Sequence, residues 1–181
     1  MNLSTKMKHI RIFKEILLIL ILFVAGVLGN FGCCTYSFSG ASVPEHLKTI
    51  AIPVAEDRSG AGIPGLRELL TEQLINKFIE DNSLQVAERT TANAILECTV
   101  VSFSDAPAIV SAGENIELRR VTVIVKVSYK DLIKRQTIFD KNFSNYGDYP
   151  PGGTVNERQT AIETAVDKIS EDILLGVVSG W

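Results

Sequence analysis

Hydrophobic and polar positions alternate along residues 116–130. A period of two is typical of a strand that buries one face and leaves the other half exposed. A short turn at residues 131–134 and a second extended segment at residues 136–146 predict that this strand belongs to a hairpin. The positions that we expect to face the core are Val121, Val123, Val125, Val127 and Tyr129.

Apolar and β-branched runs predict further strands nearer the N-terminus. Residues 49–54 (TIAIPV) form a short buried strand, and residues 94–103 (AILECTVVSF) form a longer one. Residues 84–87 are a further short strand candidate. Cys98 shares a face with apolar neighbours, so we expect a small buried residue and not a reactive thiol.

Helical spacing governs two other segments. Residues 66–80 carry apolar side chains four positions apart, which predicts an amphipathic helix that packs on a sheet. Thr154 and Glu157 form a capping box, and the helix that they open runs nearly to Trp181. The apolar positions of the first helix are Leu66, Leu70, Leu74 and Phe78.

These elements predict an α+β fold. We expect a two-layer sandwich in the order β-α-β-β-β-α, with both helices packed on one face of a mostly antiparallel four-stranded sheet. The other face of the sheet would then be left for solvent or for a partner.

The N-terminus has the pattern of an export signal. Four basic residues precede residues 16–28, which are 13 positions without a charge. A membrane-spanning helix needs about 20 apolar residues, whereas a signal peptide needs about 7–15. We therefore predict a signal peptide at residues 1–32. The alternative is an uncleaved N-terminal helix that anchors the chain.

Two adjacent cysteines end this segment. Cys33 follows the small residue Gly32, as the acylated cysteine of a bacterial lipoprotein does, so we predict lipid attachment at Cys33, with Cys34 as the second choice. Adjacent cysteines rarely bridge each other, and neither histidine has the spacing of a zinc site. The expected organisation is a lipidated tether at residues 33–48 and a folded domain at residues 49–181.

Charge and motif content exclude several classes of function. From Cys33 onward the formal net charge is −6, because four of the 18 basic residues and one of the 21 acidic residues precede it. An acidic domain has no general attraction for nucleic acid. The glycines of residues 60–65 lack the pattern of a phosphate loop, and no serine, histidine and acid triad is apparent. We expect no enzyme, no cofactor and no metal.

Two basic pairs stand out in the hairpin region. They are Arg119–Arg120 and Lys134–Arg135. They are interpreted either as a solvated edge of the sheet or as contacts to an anionic ligand or partner.

Three segments together resemble one known family. CCTYSFSGASVPEHLKTIAIPVAEDRSG, LRELLTEQLINKFIEDNSLQVAER and ANAILECTVVSFS are similar to LptE, the lipopolysaccharide-assembly lipoprotein of the Gram-negative outer membrane. The resemblance implies a non-catalytic plug inside the LptD-type β-barrel, which helps the barrel assemble and helps deliver lipopolysaccharide to the outer leaflet. It also implies anchoring by acyl chains such as palmitate, with the domain facing the periplasm and the barrel lumen.

The first strand, helix and strand of the domain also resemble a second family. TIAIPVAEDRSG and LTEQLINKFIEDNSLQVAER also look like CsgG-like or LpoB-like lipoproteins, which form a secretion pore or activate a cell-wall synthase. Members usually read Val-Leu-Pro-Phe, and Ile52-Pro53-Val54 departs from that order. We keep this function as the alternative.

Overall fold

The structure, a computed structural model, describes residues 43–110 and 116–179. The expected signal peptide at residues 1–32 and the candidate lipidation positions Cys33 and Cys34 lie outside these ranges, as does the first part of the expected tether.

The two helices begin and end close to the predicted positions. Helix α1 spans Leu66–Asp81, and the next residue, Asn82, has a φ of 57°, in the left-handed region that commonly ends a helix. Helix α2 spans Val155–Ser179. The capping box is confirmed: the amide of Thr154 donates to Oε2 of Glu157 at 2.7 Å, and the amide of Glu157 donates to Oγ1 of Thr154 at 3.2 Å.

The prediction of a four-stranded sheet in the order β-α-β-β-β-α is wrong. Among the described residues the sheet has six strands, in the chain order β-β-α-β-β-β-β-α. Two short strands account for the difference: one forms inside the glycine-rich loop, and the other is the short candidate after α1. The strands are β1 (Thr49–Ala51), β2 (Glu56–Asp57), β3 (Gln85–Val86), β4 (Ala94–Val110), β5 (Ile116–Asp131) and β6 (Gln136–Tyr149).

The sheet combines a parallel part with a long antiparallel part. Its spatial order is β3-β1-β4-β5-β6, and β2 also pairs with β4. Strand β1 is parallel to both neighbours, with Ile50 opposite Ala94, whereas β4, β5 and β6 form antiparallel ladders. The glycine-rich loop joins the sheet because the amide of Arg58 donates to the carbonyl of Val100 at 2.9 Å, next to β2.

Strands β4 and β6 extend beyond their predicted ends at residues 103 and 146. Pro107 lies inside β4, opposite Arg119, although it has no amide to donate. Strands β1 and β2 pair with β4 only as far as Val100, so the rest of β4 has β5 as its partner within the described sheet. A proline is tolerated on such an edge.

The core lies between the helices and one face of the sheet. The alternating valines of β5 are buried there, as predicted, together with the apolar stripes of both helices. Leu47, which precedes β1, belongs to the same cluster. Cys98 is also buried, which confirms its predicted place, and burial raises the pKa of its thiol to about 12.

Candidate functional surfaces

The sheet face opposite the helices carries an open polar groove of about 470 Å³. Its charged side chains pair across neighbouring strands: Nζ of Lys130 lies 2.6 Å from Oε2 of Glu97, and Nζ of Lys126 lies 3.3 Å from Oδ1 of Asp140. Alternate residues of a strand point to opposite faces, so these polar positions share the face that the core leaves free. A groove of mutually paired charges suits contact with another polar surface.

Arg119 lies on the core side of the sheet, in a cluster that joins four elements. Its Nη2 is 2.7 Å from Oδ1 of Asp105 on β4, and its Nε donates to Oη of Tyr149 on β6 at 2.8 Å. Nε of Arg158 on α2 donates to the other oxygen of Asp105 at 2.8 Å. The cluster therefore fastens the first turn of α2 to the three long strands.

Asp105 is the acceptor at the centre of this cluster. Burial alone would raise the pKa of its carboxyl, but hydrogen bonds from Arg158, Tyr149 and Arg119 outweigh burial and hold that pKa below its ordinary value. The carboxylate is thus charged at neutral pH and offsets one of the two guanidinium groups.

Arg120 lies on the opposite face of the same strand. Its guanidinium makes two hydrogen bonds to the carboxylate of Asp148, at 2.6 and 2.7 Å, and its Cζ lies 3.6 Å from the centre of the Tyr146 ring. A two-pronged arginine–carboxylate pair is strong and directional. The charge of Arg120 is thus engaged within the domain.

Lys134 and Arg135 lie in the turn between β5 and β6, and both are exposed. No ion pair links either of them to a carboxylate within residues 43–110 and 116–179. Arg135 has a φ of 55°, which a tight turn requires at this position.

The structure does not bring the four predicted basic residues together. Arg120 and Asp131 are 11 residues apart on β5, so the two basic pairs lie about 35 Å apart, at opposite ends of the hairpin. Within the first pair, Arg119 and Arg120 point to opposite faces. The two pairs are therefore separate candidate sites.

His46 and Asp131, which no motif in the sequence pairs, are in contact in the structure. Nε2 of His46 lies 2.6 Å from Oδ2 of Asp131, whose side chain is almost completely buried. Burial favours a higher pKa for Asp131, but the hydrogen bond from His46 and those from the amides of Lys134 and Ile133 lower it. A contact across 85 positions leaves no local pattern in the sequence.

Asp105, Tyr149 and Arg158 were likewise not among the site residues predicted from the sequence. The predicted loop after residue 103 is a strand, and only the extended β4 brings Asp105 beside Arg119. No group of three or more histidine, cysteine, aspartate or glutamate side chains in the described part of the chain could hold a metal ion. No described helix is long and apolar enough to cross a membrane.

The chain matches the model of a known protein family. Residues 47–175 match the model of the LptE family, described as lipopolysaccharide assembly. A comparison with curated proteins finds no significant match.

Several solved structures share the fold. Protein XCC0632 from Xanthomonas campestris superposes with a TM-score of 0.55 at 13% identity, covering 77% of this chain and 91% of that one. Protein CT253 from Chlamydia trachomatis superposes with a TM-score of 0.56 at 9% identity, covering 72% of this chain and 95% of that one. Lipoprotein B from Nitrosomonas europaea superposes with a TM-score of 0.53 at 11% identity, covering 74% of this chain and 84% of that one. At such identities the likeness concerns the fold alone.

Proposed function

The chain belongs to the LptE lipopolysaccharide-assembly family, and we propose on this ground that it is a non-catalytic lipoprotein of the outer membrane. In this proposal it plugs an LptD-type β-barrel, helps that barrel assemble, and assists delivery of lipopolysaccharide to the outer leaflet. The observation that carries the proposal is the family match, which spans the domain from Leu47, at the start of its core, to Leu175 in α2.

The polar groove is the surface that best suits the wall of a barrel lumen. The interior of a large outer-membrane barrel is polar, so a plug needs a polar face that tolerates close contact. Lys126, Lys130, Glu97 and Asp140 provide such a face, with both signs of charge interspersed. The helices cover the apolar face of the sheet and would be the less suitable contact.

The proposed anchor is an acylated Cys33, with Cys34 as the second choice. Each buried CH₂ of an acyl chain contributes about 0.8 kcal/mol, so two or more chains hold a protein firmly on a membrane. The domain would then face the periplasm and the barrel lumen.

The proposed lipopolysaccharide contacts are the two basic pairs. Lipopolysaccharide carries phosphate groups, which lysine and arginine bind as charged hydrogen-bond donors. Lys134 and Arg135 are the stronger candidates, because Asp105 and Asp148 already engage Arg119 and Arg120. The arginine pair remains a candidate for a ligand that displaces these internal contacts.

Affinity purification from solubilised outer membrane tests the proposal. We expect the tagged full-length chain to recover an LptD-type barrel. Reversal of one charge in the groove, Lys126→Glu, should reduce that recovery, because it changes the charge pattern of the surface proposed to contact the barrel. Reversal of Lys77, which pairs with Asp167 and Glu171 on the helical side, is the matched control.

Two results would contradict the proposed function. Recovery of a cell-wall synthase without a barrel would favour the activator role, and recovery of a homo-oligomeric ring would favour the secretion-pore role. Equal loss of the barrel in the groove variant and in the Lys77→Glu control would remove the groove from the interface.

A further inference from the structure

The turn between β5 and β6 combines exposed apolar and exposed basic side chains. We call residues 132–135 the hairpin tip. Leu132 and Ile133 are 37% and 54% exposed, and Lys134 and Arg135 follow directly. Two exposed aliphatic residues thus lie directly beside two cations.

The acidic residue of this turn does not offset these cations at the surface. The side chain of Asp131 is 1% exposed, and its Oδ1 accepts the amides of Ile133 and Lys134 at 2.8 Å. Its Oδ2 contacts His46. Asp131 therefore fixes the backbone of the tip from inside, and the outer surface of the tip is apolar and positively charged.

A small concavity lies beside the tip. It has a volume of about 250 Å³ and is lined by Leu132 and Arg135 together with side chains from the adjoining ends of β5 and β6. Its lining combines the aliphatic residue Leu132 with the cationic residue Arg135, which suits a molecule that has both hydrocarbon and anionic parts.

The chain enters the domain beside this tip. His46 contacts Asp131, and the amide of Leu132 donates to the carbonyl of Asn93 at 2.9 Å. The side-chain oxygen of Asn93 accepts the amides of Lys48 and Thr49, at 3.0 and 3.3 Å. These contacts pin the segment that leads into β1 to the base of the hairpin tip.

This placement relates the tip to the proposed lipid anchor. His46 follows Cys33 by 13 residues, and an extended chain of that length reaches about 45 Å at most. A chain of this length is long enough to let the tip reach the membrane that holds an acyl anchor at Cys33. The far end of β5 lies about a further 50 Å along the strand.

We propose that, when the domain is not seated in a barrel, the hairpin tip inserts into the headgroup region of the phospholipid leaflet that holds the anchor. Leu132 and Ile133 enter the boundary between headgroups and acyl chains, and Lys134 and Arg135 bind lipid phosphates. Long basic side chains extend toward the polar layer in this way, and each basic residue near an anionic surface adds to binding. The inference rests on the proposed function for the acyl anchor, which brings the tip to the membrane.

Fluorescence of a tryptophan placed in the tip tests this inference. The full-length lipidated chain carries one tryptophan, Trp181, which is replaced by phenylalanine. Ile133→Trp then reports on the tip, and Ile79→Trp, at a position 61% exposed on α1, is the matched control. Leu132→Trp is a second reporter in case the first variant does not fold. Each variant is reconstituted in vesicles of phosphatidylethanolamine and phosphatidylglycerol, with and without brominated phospholipid.

We expect brominated lipid to quench the tip tryptophan and to leave the Ile79→Trp control largely unquenched. Emission of the tip tryptophan should also shift to the blue. Adding Lys134→Glu with Arg135→Glu should remove most of the quenching, and so should replacing phosphatidylglycerol by a zwitterionic lipid.

Three results would overturn the inference. Equal quenching at the tip and at the control position would mean that the tip has no preferred contact with the leaflet. Quenching that requires added lipopolysaccharide would make the tip a ligand site and not a membrane contact. Quenching unchanged by the charge reversal would exclude the phosphate contacts. Failure to recover a barrel in the purification experiment would contradict the proposed function and leave the vesicle result standing.

Discussion

Gly147 on β6 packs directly against the backbone of Ala161 on α2. A Cβ atom on Gly147 would lie 2.0 Å from the carbonyl oxygen of Ala161, closer than any two such atoms approach. The glycine therefore sets how closely the second helix lies on the last strand.

Gly147→Ala should destabilise the domain, because either the strand or the helix must shift. Overpacking of this kind costs about 1–3 kcal/mol. Urea unfolding of the variant measures the change. Gly176→Ala is the control, since its Cβ would meet only the ring of Phe143, at 3.0 Å. Equal losses in the two variants would contradict the role of Gly147.

Asp105→Asn should lower the free energy of unfolding at neutral pH and change its pH dependence. Hydrogen bonds to charged groups contribute about 1.5–3 kcal/mol each, and Asn keeps only part of them. Because the folded pKa of Asp105 lies below its ordinary value of 3.8, its stabilisation is present above that value and is lost as pH falls through the folded pKa.

Unfolding curves at neutral pH and below pH 4 check this prediction. The variant should lose less stability on acidification than the parent chain does. Asp140→Asn, in an exposed pair with Lys126, should change stability by less than about 1 kcal/mol. If Asp105→Asn and the parent chain lose the same free energy of unfolding on acidification, the prediction is wrong.

Lys134→Glu with Arg135→Glu should weaken binding of lipopolysaccharide. Two basic contacts at an anionic surface, at about 1 kcal/mol each, amount to roughly a thirtyfold loss of affinity. Titration with fluorescent lipopolysaccharide measures it. Arg58→Glu with Arg67→Glu makes the same change in charge at exposed positions elsewhere. Binding that is equal in both variants would remove the tip from the site.

Arg119→Glu with Arg120→Glu tests the other basic pair in the same titration. A glutamate at position 119 would face Asp105, so we expect a loss of stability as well as weaker binding. Arg120→Gln alone removes one charge with less disturbance. Unchanged affinity in that single variant would exclude Arg120 as a ligand contact.

Thr154→Ala should destabilise the start of α2 by about 1 kcal/mol, because it removes the side chain that caps the helix. Thr160→Ala is the control, since its hydroxyl only bonds back to the carbonyl of Asn156 within the helix. Thermal unfolding of the two variants distinguishes a loss of the cap from a general effect of the substitution.

Cys33→Ala should abolish acylation, and Cys34→Ala should leave it intact. Incorporation of labelled palmitate measures both. Label on the Cys33→Ala chain would move the attachment to Cys34, and no label on the parent chain would favour the uncleaved anchor helix.

Elements with a clear period were predictable from the sequence. The alternating valines of β5, the four-residue spacing of α1 and the capping box of Thr154 each encode their structure locally. The strand ends were not predictable, because Pro107 and Gly147 normally interrupt a strand. Pro107 is tolerated because, among the described strands, that part of β4 pairs with β5 on one side only. Gly147 is required because the backbone of Ala161 leaves no room for a Cβ atom.

The candidate sites were predictable only in part. Basic pairs are visible in the sequence, but their partners are not: Asp105 joins Arg119 through a strand pairing, and Arg158 joins them through helix packing. The contact between His46 and Asp131 is not visible in the sequence either, because only the assembled sheet brings these two residues together. Sequence patterns thus identified the charges but not which of them are already neutralised.

The register of β1 constrains the order in which the domain can assemble as the chain emerges with its N-terminus first. Strand β1 lies between β3 and β4, and Ile50 pairs with residues that follow it by more than 35 positions. An emerging chain therefore exposes an unpaired apolar strand until β4 has emerged as well, a state that favours aggregation.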